Sequence, residues 1–494
     1  MSLSEQIAAL RAAPFNLAAH VLAAGAERPD HMALQILRPT GAERWSYGRL
    51  IAAIRGTGTL LLAQGLEPGD RVLLRLGNGP AFPLACLGAM AAGLVPVITS
   101  AQLTAPEITA MARPLGCRLT MADDGVALPE DGPRVLPASA LKGAEDLPPC
   151  DWHMGDAERP GYIVFTSGTT GRPLAVEHAH RAILARAFMH RGWEGLGPSD
   201  RLLHAGAFNW TYTLGTGLMD PWTLGATALI PGGGVTPAQL PLLLKRFDVT
   251  IMAAAPGVFR QMLRSPLPAL PRLRHGLSAG ETLSPDLRRQ WREATGTDLH
   301  EAFGLSECST FVSGSPERPA PDGCVGFPQP GRQITLCDGV IAVHRSDPGL
   351  MLGYAGDPQA TAARFEGDWF LTGDLAEAGP DGALRTLGRR DDQMNPGGFR
   401  VSPLEVEAVL ACLPGVSECA VAEVAVKPGV TVIACFFTAQ SGNEPVQTES
   451  LSAFAEARLA RYKCPRIWQQ VDRLPRIGNG KLDRRALPFL WTPL

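Results

Sequence analysis

The run Tyr162-Ile163-Val164-Phe165-Thr166-Ser167-Gly168-Thr169-Thr170-Gly171-Arg172-Pro173 changes from apolar residues to hydroxyls and glycines within a few positions. A strand that ends in such a loop presents backbone N–H groups and Ser/Thr donors to phosphate oxygens, while Gly168 and Gly171 let the chain come close. This is polyphosphate-binding chemistry of a kind distinct from the Walker loop, because no Gly-Lys-Ser/Thr comes after it. Taken alone, the same residues also suit a surface turn. Phosphate chemistry needs a cation as well. The chain has only five lysines, Lys142, Lys245, Lys427, Lys463 and Lys481, so a lysine at a chemically suggestive place stands out.

Further segments occur in order along the chain: Ser278-Ala279-Gly280-Glu281, Phe303-Gly304-Leu305-Ser306-Glu307, Thr372-Gly373-Asp374, Gly388-Arg389-Arg390-Asp391-Asp392, Tyr462-Lys463-Cys464-Pro465 and Gly478-Asn479-Gly480-Lys481. Together with the phosphate loop they resemble the adenylate-forming superfamily of acyl-CoA synthetases, peptide-synthetase adenylation domains and luciferases, over nearly the whole chain. The resemblance implies an ATP site made by Thr166, Ser167, Gly168, Thr169, Thr170 and Gly171, by Ser278, Gly280 and Glu281, and by Phe303, Gly304 and Ser306. It makes Glu307 the holder of Mg²⁺, Asp374 and Arg389 the ribose contacts, Asp391 the hinge, Lys481 the catalytic lysine, and Gly397-Gly398 part of a CoA tunnel. The implied reaction is carboxylate attack on the ATP α-phosphate, which gathers anions and so calls for Mg²⁺, aligned donors and one mobile cation. ATP and CoA are then co-substrates.

Several positions depart from the family pattern, among them Ile477, which stands where Thr is frequent. Relatives continue the phosphate loop as Pro-Lys-Gly, whereas this chain has Pro173-Leu174-Ala175, which removes a phosphate-facing cation near Arg172. Phe303 replaces the usual Tyr and keeps an aromatic face. The segment Ala207-Phe208-Asn209-Trp210-Thr211-Tyr212-Thr213-Leu214-Gly215 supplies Trp210 and Tyr212 as walls of an acid pocket, with Trp210 where many acyl-CoA synthetases carry His. The sequence around Pro14–His20 and Ser402–Glu407 is most similar to benzoate-type and medium-chain acyl-CoA ligases, so the expected acid is apolar, aromatic or short to medium aliphatic. Two alternatives stay open: a stand-alone adenylation enzyme that loads a carrier-protein thiol, and a degenerate homologue that binds nucleotide without turnover. Glu177-His178-Ala179-His180 lacks a third metal ligand at useful spacing and is read as structural. Gly232-Gly233-Gly234 is read as a turn.

The elements that must position these residues are legible as patterns. Leu50, Ile51, Ile54, Leu61 and Leu62 make a helical stripe stopped by Gly65, and 71–76 reads as a strand after the turn Pro68-Gly69-Asp70. Extended segments are expected at 94–98, 224–231 and 249–255, and a helix at 284–295. Repeated alternation of this kind implies a layered α/β domain. Near residue 388 the pattern changes. Ser402, Pro403 and Glu405 read as cap, first position and capping box of a helix. Paired strands at 419–426 and 431–438, a helix at 451–459 and a strand at 467–471 then make a small α+β domain. The expected fold is therefore a large N-terminal α/β domain, 1–388, and a small mobile α+β domain, 389–494.

Composition narrows the function classes. Lys+Arg 45 against Asp+Glu 48 gives a net charge of −3, which supplies no footprint for nucleic acid or an anionic membrane. The uncharged stretch 76–106 is broken by Gly and Pro and reads as a buried helix and strand, not a membrane span. Ten cysteines lie scattered without a CxxC pair, as suits reduced thiols and a cytoplasmic enzyme. Whether the chain works as a monomer or a homodimer stays open.

Overall fold

In the computed structural model the described residues are 2–166, 173–392, 394, 401–413, 415–427, 430–439, 448–459, 461–477 and 480–491. The chain packs as two compact units, one of Met1–Ile334 with Val343–Phe370, the other of Thr335–Ala342 with Leu371–Leu494.

The first unit is built on two sheets. The seven-stranded sheet runs in the order Gly353–Tyr354, Leu174–Ala179, Pro160–Thr166, Val95–Ile98, Arg71–Arg75, Leu119–Ala122, Val135–Pro137. Pairing is parallel from Pro160–Thr166 onward and antiparallel at the other edge. The nine-stranded sheet is ordered Phe327–Pro328, Ser309–Ser313, Asp298–Leu305, His275–Ala279, Ile251–Ala254, Arg201–His204, Thr227–Pro231, Met32–Arg38, Gly41–Ser46, with parallel pairs inside and antiparallel pairs at both ends. Parallel strands need crossover elements on the sheet faces, so the interior strands are buried on both sides and read as apolar runs.

The uncharged stretch is such a crossover. Helix Ala81–Ala91 is buried along nearly its whole length and leads into the fully buried strand Val95–Ile98. Helix Pro285–Thr295 begins where expected, with Ser284 Oγ accepting from the Leu287 N–H at 3.2 Å and Gly296 closing it in the left-handed region. Gly232-Gly233-Gly234 is a turn closed by a Val235 N–H bond to the Gly232 carbonyl.

In the second unit, Trp369–Ala378 and Leu384–Arg389 form an antiparallel pair. The sequence division at 388/389 therefore falls inside this unit, because the pairing ties 374–378 to 384–389 and both segments belong to the same compact unit as the residues beyond 389. Further along, Val416–Lys427, Val430–Ala439 and Ile467–Gln470 make a three-stranded sheet. Alternate residues pack on opposite faces. Val421, Ile433, Cys435 and Phe437 lie against Val406, Leu410, Leu451 and Ala455 of helices Pro403–Leu410 and Thr448–Glu456, while Ala420, Val424, Ala434 and Phe436 lie against Leu474 and Leu487.

One local expectation is corrected. Ser402 does cap helix Pro403–Leu410, accepting from the Glu405 N–H at 3.3 Å, but the Glu405 carboxylate does not return to the cap. It is paired with Lys463 instead. A full cationic partner holds a carboxylate more strongly than one neutral backbone N–H.

Candidate active site

In the first unit, Thr166 and Leu174 are cross-strand partners at the mouth of the phosphate loop. Ser167, Gly168, Thr169, Thr170, Gly171 and Arg172 lie outside the described residues. Because side chains alternate along a strand, Leu174 shares a face with Val176 and His178. That face turns towards Glu307: the His178 Nε2–H donates to the Ser306 carbonyl at 2.7 Å, and Tyr354, paired with Val176, donates its hydroxyl to Glu307 Oε1 at 2.8 Å. The second buried histidine, His180, accepts from the Leu17 N–H at 2.9 Å. Burial lowers His178 to about 4 and His180 to about 3, so both are neutral packing groups, as read from the sequence.

Glu307 sits on the turn between strands Asp298–Leu305 and Ser309–Ser313. Its carboxylate is buried, and Tyr354 is its hydrogen-bond donor among the described residues. A hard carboxylate oxygen is the kind of donor that suits Mg²⁺. Phe303 packs edge-on against Phe311 at 5.5 Å. Ser278 is fully buried, so that segment offers a ligand Ala279–Glu281 and not the serine hydroxyl. Glu281 lies 3.7 Å from Arg260.

Trp210 precedes the short helix Thr211–Leu214. Its loop is clamped by Asn78, whose amide donates to the Gly206 carbonyl at 2.7 Å and accepts from the Phe208 N–H at 3.1 Å, and by stacking of Phe82 on Phe208 at 4.7 Å. Trp210 and Tyr212 meet edge to face at 5.1 Å. The Tyr212 hydroxyl donates to the Leu277 carbonyl at 3.0 Å, which fixes the ring in a cluster of Met189, Trp193, Ala253, Ala279 and Ala302. Both aromatics thus belong to one apolar wall.

Behind that wall lies a charged cluster that sequence reasoning did not name. Arg186 forks onto both oxygens of Asp220 at 2.7 and 2.5 Å and reaches Thr216 at 3.1 Å and Ser309. Burial, then the Asp220 charge, push Glu194 well above the usual carboxylate range. Burial also acts to raise Asp220, but Arg186 outweighs it and holds that carboxyl well below its usual range. His190, Glu194 and Asp220 place ligand atoms within 4.8 Å of one another. With Arg186 already on both Asp220 oxygens, a metal there would meet a fixed positive charge, so the cluster reads as a structural ion pair of Arg186 and Asp220.

In the second unit, Asp374 and Arg389 face each other across the Trp369–Ala378 hairpin. Arg389 Nη1 lies 3.1 Å from Asp374 Oδ2 and 3.2 Å from the Thr372 carbonyl. The Thr372 hydroxyl accepts from the Asp374 N–H at 3.1 Å and donates to the Ile341 carbonyl at 2.8 Å, which orients the acidic residue. Asp391 lies in the 3₁₀ turn Arg390–Asp392. Gly397 and Gly398 lie outside the described residues; Met394 and Val401, on either side of them in sequence, are paired. Lys481 ends a turn in which its carbonyl accepts from the Ile477 N–H at 2.9 Å. Arg476 donates to the Gly480 carbonyl at 2.7 Å and to Glu418.

The sequence comparisons fit this arrangement. Residues 21–353 match the AMP-binding enzyme family and residues 405–481 match the AMP-binding enzyme C-terminal domain. The chain belongs to the AMP-binding enzyme family. Among curated members, it is 30% identical over 480 residues to the 3-hydroxybenzoate–CoA ligase of Aromatoleum sp. (strain CIB), covering 90% of this chain and 92% of that one. It is 28% identical over 512 residues to the mitochondrial acyl-coenzyme A synthetase ACSM5 of Homo sapiens, covering 93% and 86%. Among solved structures of AMP-binding enzymes, a benzoate CoA ligase from Burkholderia xenovorans LB400 aligns with a TM-score of 0.85 at 26% identity, over 96% of this chain and 100% of that one. Among the described residues no helix is long and apolar enough to cross a membrane.

Proposed function

We propose that this AMP-binding enzyme is an acid–CoA ligase, which joins an apolar aromatic or short to medium aliphatic acid to AMP with release of pyrophosphate and then passes the acyl group to the CoA thiol. The observation that carries this reading is the buried Glu307 turned towards the phosphate-loop strands through Tyr354, on the same unit as an apolar wall of Trp210 and Tyr212. Relatives that bear the names of hydroxybenzoate and benzoate ligases support the substrate class.

In this reading Glu307 and the phosphate loop would hold a magnesium ion, which when bound would screen the charge that gathers at the phosphates. Thr166 to Gly171 cradle the polyphosphate, with Gly280, Glu281, Phe303, Gly304 and Ser306 around the base. Asp374 accepts hydrogen bonds from the ribose hydroxyls, and Arg389 holds Asp374 in register. Trp210 and Tyr212 bury the acid's apolar body, which orients its carboxylate for attack. Lys481 supplies positive charge as the bond to the α-phosphate forms. Rotation about Asp391 exchanges Lys481 for the Gly397-Gly398 loop, whose missing side chains admit a narrow thiol arm. The scattered free cysteines accord with work in a reducing cytoplasm.

Pyrophosphate exchange against a panel of acids tests adenylation, and release of AMP with and without CoA tests the acceptor. Exchange with benzoate-like or medium-chain acids and AMP release that depends on CoA are expected. AMP release without CoA but with a carrier protein would favour carrier loading, and no exchange with any acid would favour a binder without turnover. Adenylation and thioester formation assayed separately in Gly398→Trp test the rotation: thioester formation alone should fall.

A further inference from the structure

The turn that carries Glu307 is held at five consecutive residues by groups from four other segments of the first unit. His178 donates to the Ser306 carbonyl at 2.7 Å, and the Met351 N–H donates to the Glu307 carbonyl at 2.8 Å. Arg332 donates to the Cys308 carbonyl at 3.1 Å and to the Thr310 carbonyl at 2.9 Å, and between these Arg186 donates to Ser309 Oγ. Ser309 itself has φ +60, a conformation non-glycine residues rarely adopt, which persists only where its surroundings over-determine it.

Arg332 stands out among these groups. Its side chain and that of Asp347 are both completely buried. The Asp347 carboxylate accepts from Arg332 Nε at 2.9 and 3.2 Å, from the Gln333 N–H at 3.0 Å and from the Gly349 N–H at 2.8 Å, so every lone-pair direction is committed. A buried ion pair is a poor way to gain stability, because desolvation cancels most of the attraction and an apolar pair often does as well. What the pair supplies that an apolar pair cannot is a fixed planar fork, and the two free arms of that fork grip the carbonyls on either side of Ser309.

We propose that Arg332, braced by Asp347, is a positioning residue that sets the Glu307 carboxylate for the metal–nucleotide complex. The inference rests on the reading of Glu307 as the metal-holding residue. Groups that orient a metal ligand without touching the metal typically change metal affinity when removed, and they leave metal-independent contacts alone.

The test is equilibrium binding of Mn²⁺ in the presence of ATP, followed by the paramagnetic resonance of free Mn²⁺, beside binding of ATP alone in EDTA. Arg332→Lys keeps a cation against Asp347 but loses the fork. We expect it to weaken Mn²⁺–ATP binding about tenfold while binding of metal-free ATP is unchanged. Glu307→Gln is measured in parallel, and the double variant should lose little more than Glu307→Gln alone. If Glu307→Gln binds Mn²⁺–ATP normally, the reading of Glu307 falls and the inference with it. If Glu307→Gln is weakened and Arg332→Lys is not, or if Arg332→Lys weakens ATP binding equally with and without metal, the inference alone is overturned. Should Arg332→Lys lack a native melting transition, Asp347→Asn replaces it: loss of metal-dependent binding supports the positioning role, and native binding overturns it.

Discussion

Gly280 abuts the indole of Trp210: a Cβ at Gly280 would stand 2.4 Å from Trp210 Cζ2, well inside contact distance. Its φ of +95 adds a second reason for glycine. The segment proposed to bind the nucleotide and the proposed acid wall are therefore in direct contact. Gly280→Ala should displace Trp210 and lower kcat/KM for the acid by about tenfold or more, given strain of about 1–3 kcal/mol at such a position. Trp210→Ala should relieve much of that strain, so the double variant loses less than the two single losses together. Additive losses in kcat/KM would show that the contact has no bearing on catalysis.

Lys481 sits at the end of a turn whose backbone is tied to Ile477 and whose neighbour Gly480 is held by Arg476. The side chain is thus delivered from a fixed base. Lys481→Ala should slow acyl-AMP formation by about a hundredfold, the scale of losing one preorganised donor to developing charge. Transfer from supplied acyl-AMP to CoA should change far less. Equal losses in rapid-quench assays of the two steps would remove Lys481 from the adenylation role.

Leu174 shares its strand face with His178, the residue that holds Ser306. A cation there would stand on the side of the sheet that faces the Glu307 turn and attract the polyphosphate. Leu174→Lys should lower KM for ATP or raise the exchange rate. A rise in KM for ATP would mean that the apolar residue is required as it stands.

Acid should destabilise the fold through its buried histidines. Burial is the first cause that lowers His20, His178 and His300 to about 4 and His180 and His204 to about 3, against an ordinary 6.5. The folded state binds fewer protons than the unfolded chain between these values, so their contribution is fully present above pH 6.5 and is lost as pH falls towards 4. A melting series should show Tm falling between about pH 7 and pH 5, with uptake of several protons on unfolding. A flat Tm over that interval would mean these rings are protonated in the fold.

The candidate site could be proposed from the sequence because short motifs resemble those of a family, and that resemblance is what assigns roles to Thr166, Glu307, Asp374 and Lys481. The alternation of helix and strand likewise announced layered α/β units. What the sequence hid was long-range pairing. Nothing in the spacing of Arg186 and Asp220, or of Arg332 and Asp347, marks them as partners, since each pair is made by segments that meet only in the folded unit: two helical turns for the first, two loops for the second. Glu405 illustrates the converse: its spacing from Ser402 announced a capping box, and a distant lysine took the carboxylate instead. Local rules rank local partners, and a charge from elsewhere can outbid them.

The grip on the Glu307 turn also bears on the order in which the chain folds. His178, Arg332 and Met351 are remote in sequence, so the turn reaches its working shape only after long loops have closed, and such closures come late. During refolding, helical signal should return before ATP-dependent activity, with competence of this turn among the final events. A ribosome-bound chain that has not yet released residues 332–354 would hold the phosphate-loop strands and lack the braces that ready Glu307 for use.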